Sequence, residues 1–131
     1  MSTSATLRIY DENNQNLVVL YKHFDGYPSG FGYDLYRFLK DMRIVNEIPE
    51  SQYSLSFAAN GMGCLAELIV DQFKDAIGYF YIVPKAIEDV DYEYFLFFED
   101  NELILSVYNN DHEIYSGPID HNYLTWIKCY E

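Results

Sequence analysis

Residues 92–111 read Tyr92-Glu93-Tyr94-Phe95-Leu96-Phe97-Phe98-Glu99-Asp100-Asn101-Glu102-Leu103-Ile104-Leu105-Ser106-Val107-Tyr108-Asn109-Asn110-Asp111. Two apolar and aromatic runs, Tyr92 to Phe98 and Leu103 to Tyr108, are cut by the acidic turn Glu99–Glu102 and closed by the polar turn Asn109–Asp111. Runs of this length between turn formers are strands. The pattern extends in both directions, with Gly78 to Val83 reading as a strand stopped by Pro84 and Glu113 to Tyr115 as a short one. Everything from Ile77 to Tyr115 is therefore strand and turn. Beyond it, Tyr123, Leu124, Ile127 and Tyr130 fall at helical spacing behind Asp120, so Asp120 to Tyr130 is predicted as a short capped helix.

Toward the N-terminus, Thr6 to Tyr10 and Leu17 to His23 flank the turn cluster Asp11 to Asn16, which predicts a hairpin. Leu35, Phe38, Leu39 and Met42 recur at i, i+3, i+4 and i+7, giving a helix over about Phe31 to Met42. Arg43 to Ile48 and Ser54 to Ala59 read as extended or irregular, joined across Pro49. Asn60 is placed to cap a second helix with the stripe Met62, Leu65, Ala66, Ile69 and Phe73. Two strands, two helices, a run of strands and a terminal helix predict an α+β fold. In it an antiparallel sheet carries the two central helices on one face, with a short C-terminal helix, in a single domain over 1–131.

The chain has 131 residues, of which 21 are Asp or Glu and 8 are Lys or Arg, for a formal charge of −13. Nucleic acid is held by Lys and Arg releasing counterions, and anionic membrane attracts the same sign, so neither is a direct partner. A 50% apolar fraction at this length suits one core. Cys64 and Cys129 are too few for a disulfide scaffold, and no signal peptide or spanning apolar run appears. A soluble, reducing setting, the cytoplasm, fits this usage.

The acidity is local. Residues 1–87 hold 10 acids against 7 bases, or −3, whereas residues 88–131 hold 11 acids against the single base Lys128, or −10. Asp89, Asp91 and Glu93 alternate with residues including Tyr92, and Tyr94 follows them. A strand beginning that early would carry the three acids on one side, about 6.6 Å apart. Glu99, Asp100 and Glu102 form a second cluster. Paired carboxylates can act as acid and base or hold a cation, yet calcium-loop spacing and a neighbouring His or Lys are both missing here. A row of negative charge with interleaved tyrosines instead suits docking on a basic groove, where it imitates a nucleic-acid backbone. The plainer reading is a solvated face that confers solubility. With 14 Tyr, 9 Phe and the single Trp126, most aromatics are expected in the core and a minority in a contact patch, with Tyr92, Tyr94, Tyr108 and Tyr115 its first candidates.

Two glycine-rich helix starts offer backbone N–H groups to an anion: Ser29, Gly30 and Gly32 in the first, Asn60, Gly61 and Gly63 in the second. Neither matches a fingerprint. A dinucleotide motif from Gly30 would need glycine where Leu35 stands, and Gly-Lys-Ser/Thr is absent. Asp25 opposes phosphate, and tight turns account for the glycines as well. Ser29 lacks a nucleophile elbow because Tyr27 occupies the glycine position. Cys64 reads as a structural cysteine on an apolar face. His23, His112 and His121 show no ligand spacing. No metal or cofactor is expected.

Ile9-Tyr10-Asp11, the run Tyr21 to Gly32 with its Asp-Gly-Tyr-Pro-Ser-Gly core, Ile44-Val45-Asn46, Ala59-Asn60-Gly61-Met62-Gly63-Cys64-Leu65-Ala66 and Gly78 to Pro84 together resemble a family of small, largely uncharacterised proteins of phages and bacteria. The resemblance covers roughly residues 5–98. Phe31 stands where the pattern has His, and Glu47 where it has Gly, so a shared ligand role at position 31 does not carry over. The resemblance brings no catalytic residues. What it implies is mainly context: a phage-like gene product, many of which bind and disable a host defence component. Together with the acidic third, this gives the expectation of a non-catalytic, anti-CRISPR-like inhibitor in the host cytoplasm, bound to a host protein with a basic surface, and compatible with homo-oligomers. The alternative is a binder that sequesters a nucleotide signal at the glycine-rich helix starts.

Overall fold

Two turns fix the sheet's register. Asp100 and Asn101 have φ of 51° and 63°, and Asn110 and Asp111 have φ of 52° and 68°. Two consecutive left-handed residues make the hairpin turn whose twist matches that of the flanking strands, and Asn and Asp tolerate that region better than other non-glycine residues. The computed structural model describes residues 2–45, 58–85 and 89–130. Its strands are β1 (Ala5–Tyr10), β2 (Asn16–Lys22), β3 (Arg43–Val45), β4 (Ala58–Asn60), β5 (Phe80–Val83), β6 (Tyr92–Glu99), β7 (Glu102–Asn109) and β8 (His112–Pro118). Its helices are α1 (Tyr33–Leu39), α2 (Gly61–Phe73) and α3 (His121–Tyr130).

Among the described residues, six strands form one sheet in the order β5-β2-β1-β6-β7-β8, and β3 and β4 pair apart from it. The α+β class and the N-terminal hairpin stand as expected, but the sheet is only mostly antiparallel, since β1 and β6 run parallel. A parallel pair needs a crossover. Here the chain leaves β2, makes both central helices, returns as β5 beside β2 and then passes to the far side of β1. β3 and β4 also pair in parallel. The rest of the two predicted extended segments, residues 46–57 with Pro49 and the departing Glu47, lies outside the described residues, as do Glu88 and Glu131 of the acidic count.

The sheet's inner face carries Ala5, Leu7, Ile9, Leu20, Tyr94, Leu96, Leu105 and Val107, all buried. They share one core cluster with Leu35 and Leu39 of α1, Met62, Leu65 and Ile69 of α2, and Tyr123 and Ile127 of α3. Each buried Leu, Ile, Val or Met among them contributes about 1.5–3 kcal/mol. The helices begin differently from expectation. A π-helical turn over Pro28–Gly32 precedes α1, which is therefore shorter than predicted at both ends. Asn60 makes no side-chain cap to α2. Gly61 enters the helix at φ +83°, and the Glu12 carboxylate, from the β1–β2 turn, accepts the Met62 N–H at 2.8 Å instead. At α3 the predicted cap is present, with the Asn122 N–H donating to Asp120 Oδ1 at 2.8 Å. Among the described residues no helix is long and apolar enough to cross a membrane.

Candidate functional site: the outer sheet face

Strand alternation sends the neighbours of the core residues to the opposite face. Register places Thr6, Arg8 and Tyr10 of β1, Glu93, Phe95 and Phe97 of β6, Ile104, Ser106 and Tyr108 of β7, and Glu113 and Ser116 of β8 on that outer side. None of Tyr10, Phe95, Phe97 and Tyr108 belongs to the core cluster or packs on it. They line an open groove of about 420 Å³ with Asn14, Ser106, Glu113 and Ser116. Tyr10 stacks on Phe95 at 6.4 Å, and Phe95 meets Tyr108 edge-on at 5.3 Å. The Arg8 guanidinium lies 4.7 Å over the Phe95 ring and forms an ion pair with Glu93 at 3.1 Å. Arg8 Nε and the buried Thr6 Oγ1 find no hydrogen-bond partner among the described residues. Tyr108 donates to Glu113 at 3.4 Å, and its pKa is raised by burial first and by the Glu113 charge second.

The predicted acidic row is not a row. β6 begins at Tyr92, so Asp89 and Asp91 lie ahead of the strand, and Asp91 Oδ2 accepts the Ser4 N–H at 3.0 Å. Only Glu93 of the three points out from the outer face. Glu99 and Glu102 face each other across the turn that holds Asp100, all three exposed. Glu93 and Glu99 are six positions apart, about 20 Å along a strand. The acids thus rim the groove at both ends. Tyr92 is half-buried on the inner side and packs on the core. Tyr94 is fully buried, its hydroxyl donating to the Gly26 carbonyl at 2.7 Å, so it has no surface to offer a partner. Tyr115 also faces inward, against Tyr123 and Trp126. Of the tyrosines singled out from the sequence, Tyr108 alone lines the groove. Phe95, Phe97 and Tyr10 were missed because apolar residues on both faces of a strand look like a strand buried on both sides.

The glycine-rich starts are occupied from within. The Gly30 N–H donates to Tyr27, and the Phe31 N–H to Asp25. Gly32 is buried under Tyr123, and Ser29 is exposed. Glu12 holds the N-terminus of α2 beside Gly61, the place an anion would take, while Asn60 and Gly63 are exposed. Cys64 and Cys129 are free thiols, and no group of three His, Cys, Asp or Glu among the described residues is arranged to hold a metal. No family model matches the chain, and neither the curated proteins nor the solved structures yield a match.

Tyr115 gives the fold a pH limit. Burial, with the Asp120 charge second, pushes its pKa up from 10.0 to about 12, and its hydroxyl donates to the Pro118 carbonyl at 2.8 Å. A raised phenol pKa keeps the folded state protonated where the unfolded chain has released its proton. This stabilisation is full below pH 10 and is lost as pH rises toward 12. Urea unfolding across that range is expected to show falling stability, with a shallower fall in Tyr115→Phe. An equally steep fall in the variant would remove Tyr115 as the cause.

Proposed function

We propose that the protein is a non-catalytic, phage-type inhibitor that binds a basic surface of a host nucleic-acid-handling defence protein, in the manner of an anti-CRISPR protein, in the host cytoplasm. The observation that carries the reading is the outer sheet face. A half-exposed aromatic groove formed by Tyr10, Phe95, Phe97 and Tyr108 is rimmed by Glu93, Glu113 and the Glu99–Glu102 turn. Aromatic anchors supply contact area, and rim charges steer the encounter and reject partners of like sign. The two central helices are taken as the cover of the inner face, which leaves the outer one for the partner. The same charge opposes direct contact with nucleic acid or anionic membrane. Sequestration of a nucleotide signal has less support, because Glu12 stands where its phosphate would bind.

The test is competition for DNA. A purified CRISPR effector is titrated with the protein, and loss of effector–DNA complex is read by mobility shift. The wild type is expected to displace DNA, and Glu99→Lys/Glu102→Lys/Glu113→Lys to do so at least about tenfold more weakly, a change of about 1.4 kcal/mol. Equal potency of wild type and variant would overturn the interface. A wild type that displaces nothing from any effector of its host would overturn the partner class.

A further inference from the structure

Among the described residues the sheet has two edges, and they are built differently. β8 carries His112 and Glu113 and ends on Gly117-Pro118, the charges and proline that keep an edge from pairing. β5 reads Phe80-Tyr81-Ile82-Val83, has no charge and leaves Tyr81 44% and Ile82 61% exposed. Phe24, Ile77 and Tyr79 nearby are exposed as well, with Phe24 edge-on to Tyr79 at 4.9 Å and Tyr21 against Tyr81 at 5.1 Å. Five of the seven large apolar residues exposed among the described residues therefore gather at this one edge.

The backbone there is set to pair. The His23 N–H donates to the Tyr79 carbonyl, and β2 and β5 are in register with Tyr21 opposite Tyr81 and Val19 opposite Val83. Hydrogen-bonded pairs alternate along an antiparallel ladder, so Tyr79, Tyr81 and Val83 turn their backbone groups to β2. Phe80 and Ile82 turn theirs outward. A second copy of β5, antiparallel and with Tyr81 opposite Tyr81, answers all of them: Phe80 of each copy exchanges two bonds with Ile82 of the other. This register keeps the helix-covered faces of both copies on one side, closes on a two-fold axis, and asks nothing of Pro84, which has no N–H.

Charge selects the same edge. Residues 74–85 hold Lys74, Asp75 and Lys85, and the end of β2 and the loop after it add Lys22 and Asp25, so the edge is close to neutral in a chain of −13. Two such chains repel least where they meet on this side. We propose that the protein self-associates as a symmetric dimer through β5, with the sheet continuous across the axis at Tyr81. The outer groove lies on other strands, so the proposal stands apart from the inhibitor reading, and charge reversal at Glu99, Glu102 and Glu113 leaves it untouched.

Light scattering on the eluting protein is expected to give about twice 15.4 kDa for the wild type and 15.4 kDa for Ile82→Pro. Proline removes only an outward N–H there, which an edge strand tolerates, so far-UV circular dichroism should be unchanged; if it is not, Ile82→Lys takes its place. In a Cys129→Ser background, Tyr81→Cys should oxidise to a linked dimer. Directly opposed residues of a non-bonded pair lie close enough for a disulfide, whereas Ile82→Cys is displaced diagonally from its counterpart and should not link. A monomeric wild type, a folded position-82 variant that remains dimeric, or linkage at 82 as ready as at 81 would overturn the proposal.

Discussion

Gly32→Ala is expected to lower stability by about 3 kcal/mol and the melting temperature by on the order of 10 °C. Gly32 is buried at the junction of the π-helical turn and α1, and a Cβ there would run into the Tyr123 hydroxyl and approach Tyr94 Cε2 to 3.1 Å. Tyr123 has little room to retreat. It is fully buried, donates to the Pro28 carbonyl at 3.0 Å, and is held by Tyr115 at 5.0 Å and Trp126 at 5.4 Å. Overfilling a packed core costs about 1–3 kcal/mol, and a buried carbonyl that loses its donor about 1–3 kcal/mol more. A double-mutant cycle separates this clash from a loss of glycine's backbone freedom. Tyr123→Phe removes the oxygen the new methyl group would meet, so Gly32→Ala/Tyr123→Phe should be more stable than the sum of the two single effects by about 1 kcal/mol. Additive effects would mean that the hydroxyl is not what position 32 has to accommodate.

That junction was only partly legible in the sequence. The glycine-rich link and the apolar spacing of α1 are plain, but what makes Gly32 necessary is Tyr123, 91 positions along the chain. The same division runs through the fold. Strand alternation and the polar turns at Asp100-Asn101 and Asn110-Asp111 are local, and they marked the strands on either side; the register, with its shift between Val107 and Tyr108, and the full length of β8 were not legible there. The parallel pairing of β1 with β6 is decided by where a crossover lands, which no local pattern encodes. The cap on α2 comes from Glu12 rather than from the adjacent Asn60 for a similar reason: a positive φ at Gly61 changed the geometry that Asn60 would have needed. At the candidate site the sequence located the acidic third, but the supposed row depended on a strand starting at Asp89. The start at Tyr92 instead separates Asp89 and Asp91 from Glu93 and divides the acids between the two ends of the outer face.

Tyr94 and Phe95 put this parity to the test, because adjacent residues of β6 serve opposite faces. Tyr94 fills the centre of the core, edge-on to Phe31 at 5.3 Å, and satisfies the buried Gly26 carbonyl at 2.7 Å. Tyr94→Ala is expected to cost about 3–5 kcal/mol, a large share of the 5–15 kcal/mol typical of a domain, and to leave a chain that unfolds near physiological temperature. Tyr94→Phe keeps the ring and strands the carbonyl, for about 1–2 kcal/mol. Its potency in the DNA-competition assay should equal that of the wild type, since no part of residue 94 reaches the groove. Phe95→Ala should do the reverse: it removes the ring shared by Tyr10, Tyr108 and Arg8 on the outer face. Stability should fall by less than in Tyr94→Ala, while potency falls at least about tenfold, as for a central aromatic anchor. Chemical denaturation and the competition assay, run on the same three variants, separate the two roles. A Tyr94→Phe protein that folds but no longer competes would mean that the partner is bound through the inner side of β6, and the outer face would then be only a solvated one.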